Sequence, residues 1–256
     1  MSTIHSTPES EAVPPLRDEV TTRRTRTSYL IYLGLLAFLV AAKVVLTFAS
    51  VSSVVALQAA ALSWPSLIVV GAAGWLGLFL SRRTGFPEWW DPRISARGRL
   101  LLPAGIGLGA GILFLVVERL TNFEQIALAS TGQASINVPF PGSLLFYPAG
   151  AIIAEILYRL APLPLLLWLI SNVVLRHRFQ RQVFWVLAVL VSLLEPASQV
   201  MPFQGHAGLL VLLTSAIFAI NLLEVWLFRR FGFLAPLTLR LAYYLVWHII
   251  GGALPF

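Results

Sequence analysis

Apolar residues fall into seven long runs along this chain, each closed by polar or basic residues. By length and flanks they predict membrane-spanning helices at about 28–49, 62–81, 100–118, 143–170, 183–200, 207–228 and 233–252. Runs of this length suit a ~30 Å hydrocarbon core, which takes about 20 helical residues to cross. The fourth run is over-long and holds Pro148, Pro162 and Pro164, so a bend or a separate short segment is expected within it. Polar residues inside the later runs follow a helical spacing. Glu155/Arg159, Glu195/Gln199 and Arg240/Tyr244 are each spaced i, i+4, and His248 continues the last stripe. An ionisable side chain at mid-bilayer costs about 2.5–3.5 kcal/mol on insertion scales. Each pair lies on one helical face, so the three faces are expected to meet and neutralise one another inside a bundle.

Composition agrees with that pattern. Apolar residues make up 58% of the 256 positions and charged residues only 11%, where a soluble domain has about a quarter. The fold class is therefore all-α, a polytopic transmembrane bundle of about seven spans. Charge then orients it. Fourteen of the 18 basic residues flank the spans on one side: Arg17, Arg23, Arg24 and Arg26 before the first, Arg82, Arg83, Arg93, Arg97 and Arg99 after the second, Arg176, Arg178 and Arg181 after the fourth, and Arg229 and Arg230 after the sixth. Arg119 alone flanks the other side, while Lys43, Arg159 and Arg240 fall within spans. This asymmetry places the N-terminus in the cytoplasm and the C-terminus outside, with the plasma membrane as the expected location.

The net charge of +7 accordingly reports orientation and attraction to anionic lipid, not nucleic-acid binding. With no Cys, disulfides, thiolate metal sites and a cysteine nucleophile are excluded. His206 and His248 are the only His outside the cytoplasmic segments, too few for a multi-His centre, so no metal or other cofactor is expected.

Three regions are expected. Residues 1–27 read as a disordered cytoplasmic tail, 28–142 as three supporting spans, and 143–256 as the functional core. Between the second and third spans, 84–99 should lie along the cytoplasmic interface with Trp89 and Trp90 at headgroup depth. Gly105, Gly107, Gly109 and Gly111 on the third span, and Gly71, Gly74 and Gly77 on the second, are small-residue patterns suited to close helix packing. Residues 119–142 suit a partly ordered loop over the outer mouth. Lys43, near the outer end of the first span, is assigned no role. Asn221 and Glu224 repeat a polar spacing at i, i+3, but near the cytoplasmic end, where Arg229 or Arg230 can reach them; that pair is expected at the interface.

The polar segments resemble a known family. AEILYR (154–159), SLLEPASQ (192–199) and GFLAPLTLRLAYY (232–244) are similar in layout to the three motifs of the CPBP family, the CAAX-protease and bacteriocin-processing membrane proteins. Those motifs read Glu-Glu-x-x-x-Arg, Phe-x-x-x-His and His-x-x-x-Asn/Asp. The resemblance covers roughly 143–252 and implies a four-span CPBP-like core with Glu155, Arg159, Glu195, Gln199, Arg240 and Tyr244 at the motif positions. It also shows what has changed. The first motif Glu falls on Ala154, both motif His fall on Gln199 and Arg240, the carbonyl-polarising position falls on Tyr244, and Glu195 stands where the family has Phe.

Two readings follow. In the first, the replacements leave no competent base and set up a Glu195–Arg240 ion pair; the protein is then a catalytically impaired relative, a pseudoenzyme acting as a membrane binding or scaffold protein. In the second it is an atypical intramembrane peptidase using Glu155 or Glu195 as base. Expected partners are membrane lipids, a membrane protein, or a lipidated or leader peptide. A transporter is less well supported, because internal repeats are lacking.

Overall fold

A computed structural model of the chain describes residues 16–48, 60–131, 137–199 and 205–253. Residues 1–15 of the expected tail lie outside the described residues, and helix α1 (Leu16–Phe48) extends into the rest of it. Seven helices are long and apolar enough to cross a membrane. Their spanning portions are Thr25–Phe48 in α1, α2 (Trp64–Arg83), α3 (Arg97–Thr121), α5 (Ser143–Val174), α6 (Gln180–Gln199), α7 (Ala207–Phe231) and α8 (Leu234–Ala253). A short α4 (Phe123–Thr131) lies in the connection after α3. The described residues contain no strand. The protein is an all-α integral membrane protein, as its apolar runs predict.

Local sequence accounts for the element ends. Ser63 caps α2 by accepting from the Ser66 backbone N–H at 3.4 Å, and Pro65 occupies the first turn, where its missing N–H costs nothing. Gly232 takes φ +82° in the tight turn from α7 into α8, a conformation that other L-residues rarely adopt.

Of the two forms expected for the fourth run, helix α5 does not take the separate short segment. It neither ends nor detaches at its prolines but runs as one span, loosened by π-turns at Ile156–Leu160 and Trp168–Val174. Ala161 N–H donates to Ile156 O at 2.9 Å, five residues back. The wider turn delivers the chain to Pro162, which opens the next α-helical stretch.

Glycines set the closest helix contacts. A Cβ at Gly107 would strike the Leu239 carbonyl and Ala242, and one at Gly111 would lie 2.7 Å from Val246 Cβ. The third span thus packs on α8 through alternate glycines, while Gly105 and Gly109 face open space. On α2, Gly74 gives way to the Tyr32 ring and Gly77 to the Leu160 carbonyl.

The 84–99 segment corrects one expectation. Trp89 does not present its ring to the membrane interface; it is 1% exposed and stacks on Phe233 with ring centroids 4.4 Å apart. The reason is a set of ties that pull the segment inward. Ser28 Oγ donates to Glu88 Oε2 at 2.8 Å and accepts from Trp89 N–H at 3.1 Å, and Arg82 pairs with Glu88 at 2.8 Å. Trp90, by contrast, remains exposed, with the Arg99 guanidinium over its ring.

Candidate functional site: a buried five-charge core beside an aromatic cavity

Four helices each bring polar residues to the centre of the bundle. From α5 come Glu155 and Arg159, from α6 Glu195, from α7 Asn221 and Glu224, and from α8 Arg240. All six are at most 3% exposed. Helical spacing does the local work: Arg159 lies one turn beyond Glu155 and donates from Nη1 to its Oε1 at 2.8 Å.

Arg240 is the hub. Its Nε donates to Glu155 Oε1 at 2.6 Å, Nη1 to Glu195 Oε1 at 2.6 Å, and Nη2 to Glu195 Oε2 at 2.6 Å. Nη2 also reaches Glu224 Oε2 at 3.0 Å and Asn221 Oδ1 at 3.3 Å, and Nη1 donates to the Tyr244 hydroxyl at 3.2 Å. Arg159 completes the ring, pairing with Glu224 Oε2 and, at 3.4 Å, with Glu195 Oε2. Planar guanidinium forks suit this use, since each presents several donors in fixed directions to more than one carboxylate.

Glu224 and Asn221 overturn the expectation that they sit at the interface. Both are buried, and Glu224 is held by Arg159 and Arg240 rather than by Arg229 or Arg230. Arg229 is occupied elsewhere, donating to the Thr84 carbonyl at 2.9 Å and lying over the Phe86 ring. Helix α7 extends to Phe231, so Glu224 is about two turns from its end and level with the polar core. The signal available in sequence was the acid itself. Any carboxylate within a span demands a cation, and spans four and seven each carry one arginine.

The remaining motif positions frame the core. Gln199 donates to Glu195 Oε1 at 3.3 Å from the next turn of α6. Pro196, inside α6, removes the backbone donor that would bond Ser192 O. Four polar atoms of the core have no hydrogen-bond partner among the described residues: Glu155 Oε2, Glu224 Oε1, Arg159 Nε and Asn221 Nδ2.

Beside the core lies a cavity of about 440 Å³. Its floor is Glu195, Gln199, Asn221 and Arg240, and its walls are aromatic, including Phe114, Phe146, Tyr147, Tyr243, Tyr244 and Trp247. Glu155, Arg159 and Glu224 are not in the lining; they stand behind Glu195 and Arg240. The cavity lies toward the end of the bundle opposite the arginine-rich ends of α2 and α7.

His248 closes the cavity wall in a defined state. Its Nδ1 lies 3.1 Å from Asn137 Oδ1, and Asn137 Nδ2 donates to Glu124 Oε2 at 3.0 Å. That second bond fixes the amide orientation, so Nδ1 carries the hydrogen and donates. Tyr147 donates to the same amide oxygen at 3.1 Å and accepts from Val138 N–H, and its ring stacks on His248 with centroids 4.4 Å apart. Residues of the 119–142 connection are thereby fastened to α5 and α8. Burial, and secondarily the neighbouring Glu118 charge, pushes Glu124 up to about 7, against a partial pull downward from the Asn137 amide.

No protein-family model, curated protein or solved structure matches this chain.

Proposed function

We propose that this protein is a CPBP-like membrane binding protein without peptidase chemistry. It sits in the plasma membrane with its N-terminus cytoplasmic, and its cavity receives the apolar part of a lipid or of a lipidated peptide from the outer side. The observation that carries this reading is the condition of Glu195. Among the described residues it is the one carboxylate lining the cavity, and both of its oxygens are taken by Arg240 at 2.6 Å. A general base must present a lone pair to the proton that it removes. Glu195 presents its lone pairs to a permanent cation, and Glu155 stands behind the wall. Aromatic walls over a charge-balanced Glu195–Arg240 floor suit uncharged, apolar occupants, within the size range of ordinary ligand sites. The excess of basic residues at one end of the bundle supports the orientation.

Purified protein in lipid nanodiscs, incubated with prenylated and leader peptides and followed by mass spectrometry, should give no cleavage. Turnover should require at least Ala154→Glu, Gln199→His, Arg240→His and Tyr244→Asn together. Wild-type cleavage that disappears in Glu155→Gln or Glu195→Gln, with the fold intact, would replace this reading by that of an atypical intramembrane peptidase.

A further inference from the structure

The polar core contains a charge that its own members do not balance. Its carboxylates are Glu155, Glu195 and Glu224, and the cations that touch them are Arg159 and Arg240. Among the described residues no third base reaches any of the three. The groups that face the cluster are Glu155 and Arg159 from α5, Glu195 and Gln199 from α6, Asn221 and Glu224 from α7, and Arg240, Tyr243, Tyr244 and His248 from α8. Helices α1 to α3 make no hydrogen bond or ion pair to it among the described residues. Three acids against two guanidiniums leave one negative charge at the centre of a membrane bundle.

Geometry locates that charge. Glu195 has both oxygens engaged by Arg240. Glu155 and Glu224 each use a single oxygen for both arginines: Glu155 Oε1 takes Arg159 Nη1 and Arg240 Nε, while Glu224 Oε2 takes Arg159 Nη2 and Arg240 Nη2. Sharing both guanidiniums puts these two carboxylates side by side. Their other oxygens, Glu155 Oε2 and Glu224 Oε1, have no partner, although both side chains are fully buried. An acceptor removed from water and left unpaired is destabilising, and three buried carboxylates that share two guanidiniums cannot all stay ionised without a further counter-charge.

We infer that the Glu155–Glu224 pair binds one monovalent cation, a proton or Na⁺, which brings the cluster to neutrality. A divalent ion would overshoot by one charge. Neither residue lines the cavity, so the inference does not depend on what the cavity binds.

The test uses full-length protein in phosphatidylcholine nanodiscs, carrying Glu124→Gln so that Glu124 does not titrate. Its unfolding temperature is followed from about pH 6 to about pH 9 in choline chloride, a range above ordinary carboxylate titration, and again with NaCl replacing choline at the upper pH. A fall of several degrees on raising the pH that NaCl does not restore identifies a proton; restoration by NaCl identifies sodium. Either response should flatten in Glu155→Gln and in Glu224→Gln, where the acids and guanidiniums balance. If those variants do not fold, two measurements on the Glu124→Gln protein decide: the infrared carbonyl band of a protonated carboxyl at neutral pH, and retention of one equivalent of radioactive sodium. An unfolding temperature indifferent to both pH and Na⁺, a response unchanged in both variants, or the absence of both the band and the bound sodium would overturn the inference.

Discussion

Arg240 touches all three core carboxylates, and Glu195 depends on it for its closest contacts. Arg240→Leu should therefore cost about 3–5 kcal/mol, the range for breaking a buried pair by removing one partner. Arg240→Lys should recover only part of that, because an ammonium has three donors on one nitrogen and cannot reproduce the bidentate grip on Glu195 together with the contacts to Glu155 and Glu224. Equilibrium unfolding in mixed micelles measures both. Glu124, outside the spans, gives a second prediction at this scale. Its folded-state value near 7 lies above the ordinary one, so the fold favours its protonated form. The contribution is fully present below about pH 4.5 and is lost as pH rises through 7; Glu124→Gln should flatten that slope in a thermal-stability profile. Which core residues could be read from sequence follows from the same chemistry. Glu155, Arg159, Glu195 and Arg240 stand out because i, i+4 spacing inside an apolar run is an unambiguous face. Glu224 was misplaced because Arg229 and Arg230 follow it closely in the chain and offered a local partner, while its actual partners lie 65 positions before it and 16 after. Asn137, which holds His248, Tyr147 and Glu124 together, carries no sequence signal of its own, since its importance comes only from the fold.

Among the elements, the third and eighth helices meet through alternate glycines, and the alternation itself can be tested. Gly107→Ala pushes a methyl into the Leu239 carbonyl and Ala242, so it should destabilise by about 1–3 kcal/mol, the range for overpacking. Gly109→Ala meets nothing within 4 Å and should be neutral or stabilise by roughly 0.5–1 kcal/mol through helix propensity. The two variants lie two positions apart, and only Gly107→Ala should lower the unfolding midpoint. Small-residue spacing made close packing legible, but not which partner each glycine meets, because both rows of glycines run along one helix. Trp89 shows a similar limit. An aromatic pair among arginines reads as an interfacial anchor, and only the Ser28–Glu88–Arg82 ties draw one ring of the pair into the core. Trp89→Ala should cost about 3–5 kcal/mol, and Trp90→Ala little.

For the molecule as a whole, span number and charge asymmetry make a joint prediction: a reporter fused after Phe256 should be extracytoplasmic and one inserted near His177 cytoplasmic. A cytoplasmic signal from both would mean that the spans are miscounted, and exchanged signals that the orientation is inverted. The spans were legible because each is a long apolar run with polar ends, and length alone fixes their number. Helix α5 sets a subtler condition on the whole bundle. Before its π-turn, Ala149, Ala151 and Ile152 face inward; beyond it, Leu163 and Leu167 do the same. The wide turn holds those two stretches in phase. Leu157, 40% exposed toward the lipid side, contributes little through its side chain, so Leu157→Ala should be tolerated. Changing the number of residues is another matter. The π-turn already absorbs one residue beyond an ordinary helical turn, so removing one and letting the turn close as α-helix would keep the two halves in phase. A residue inserted after Leu157 would instead rotate one half of α5 by about 100° against the other, turning either Glu155 or Leu163 and Leu167 out toward the bilayer. This helix therefore counts residues where it does not read them: at position 157 the number of residues matters and their identity is free.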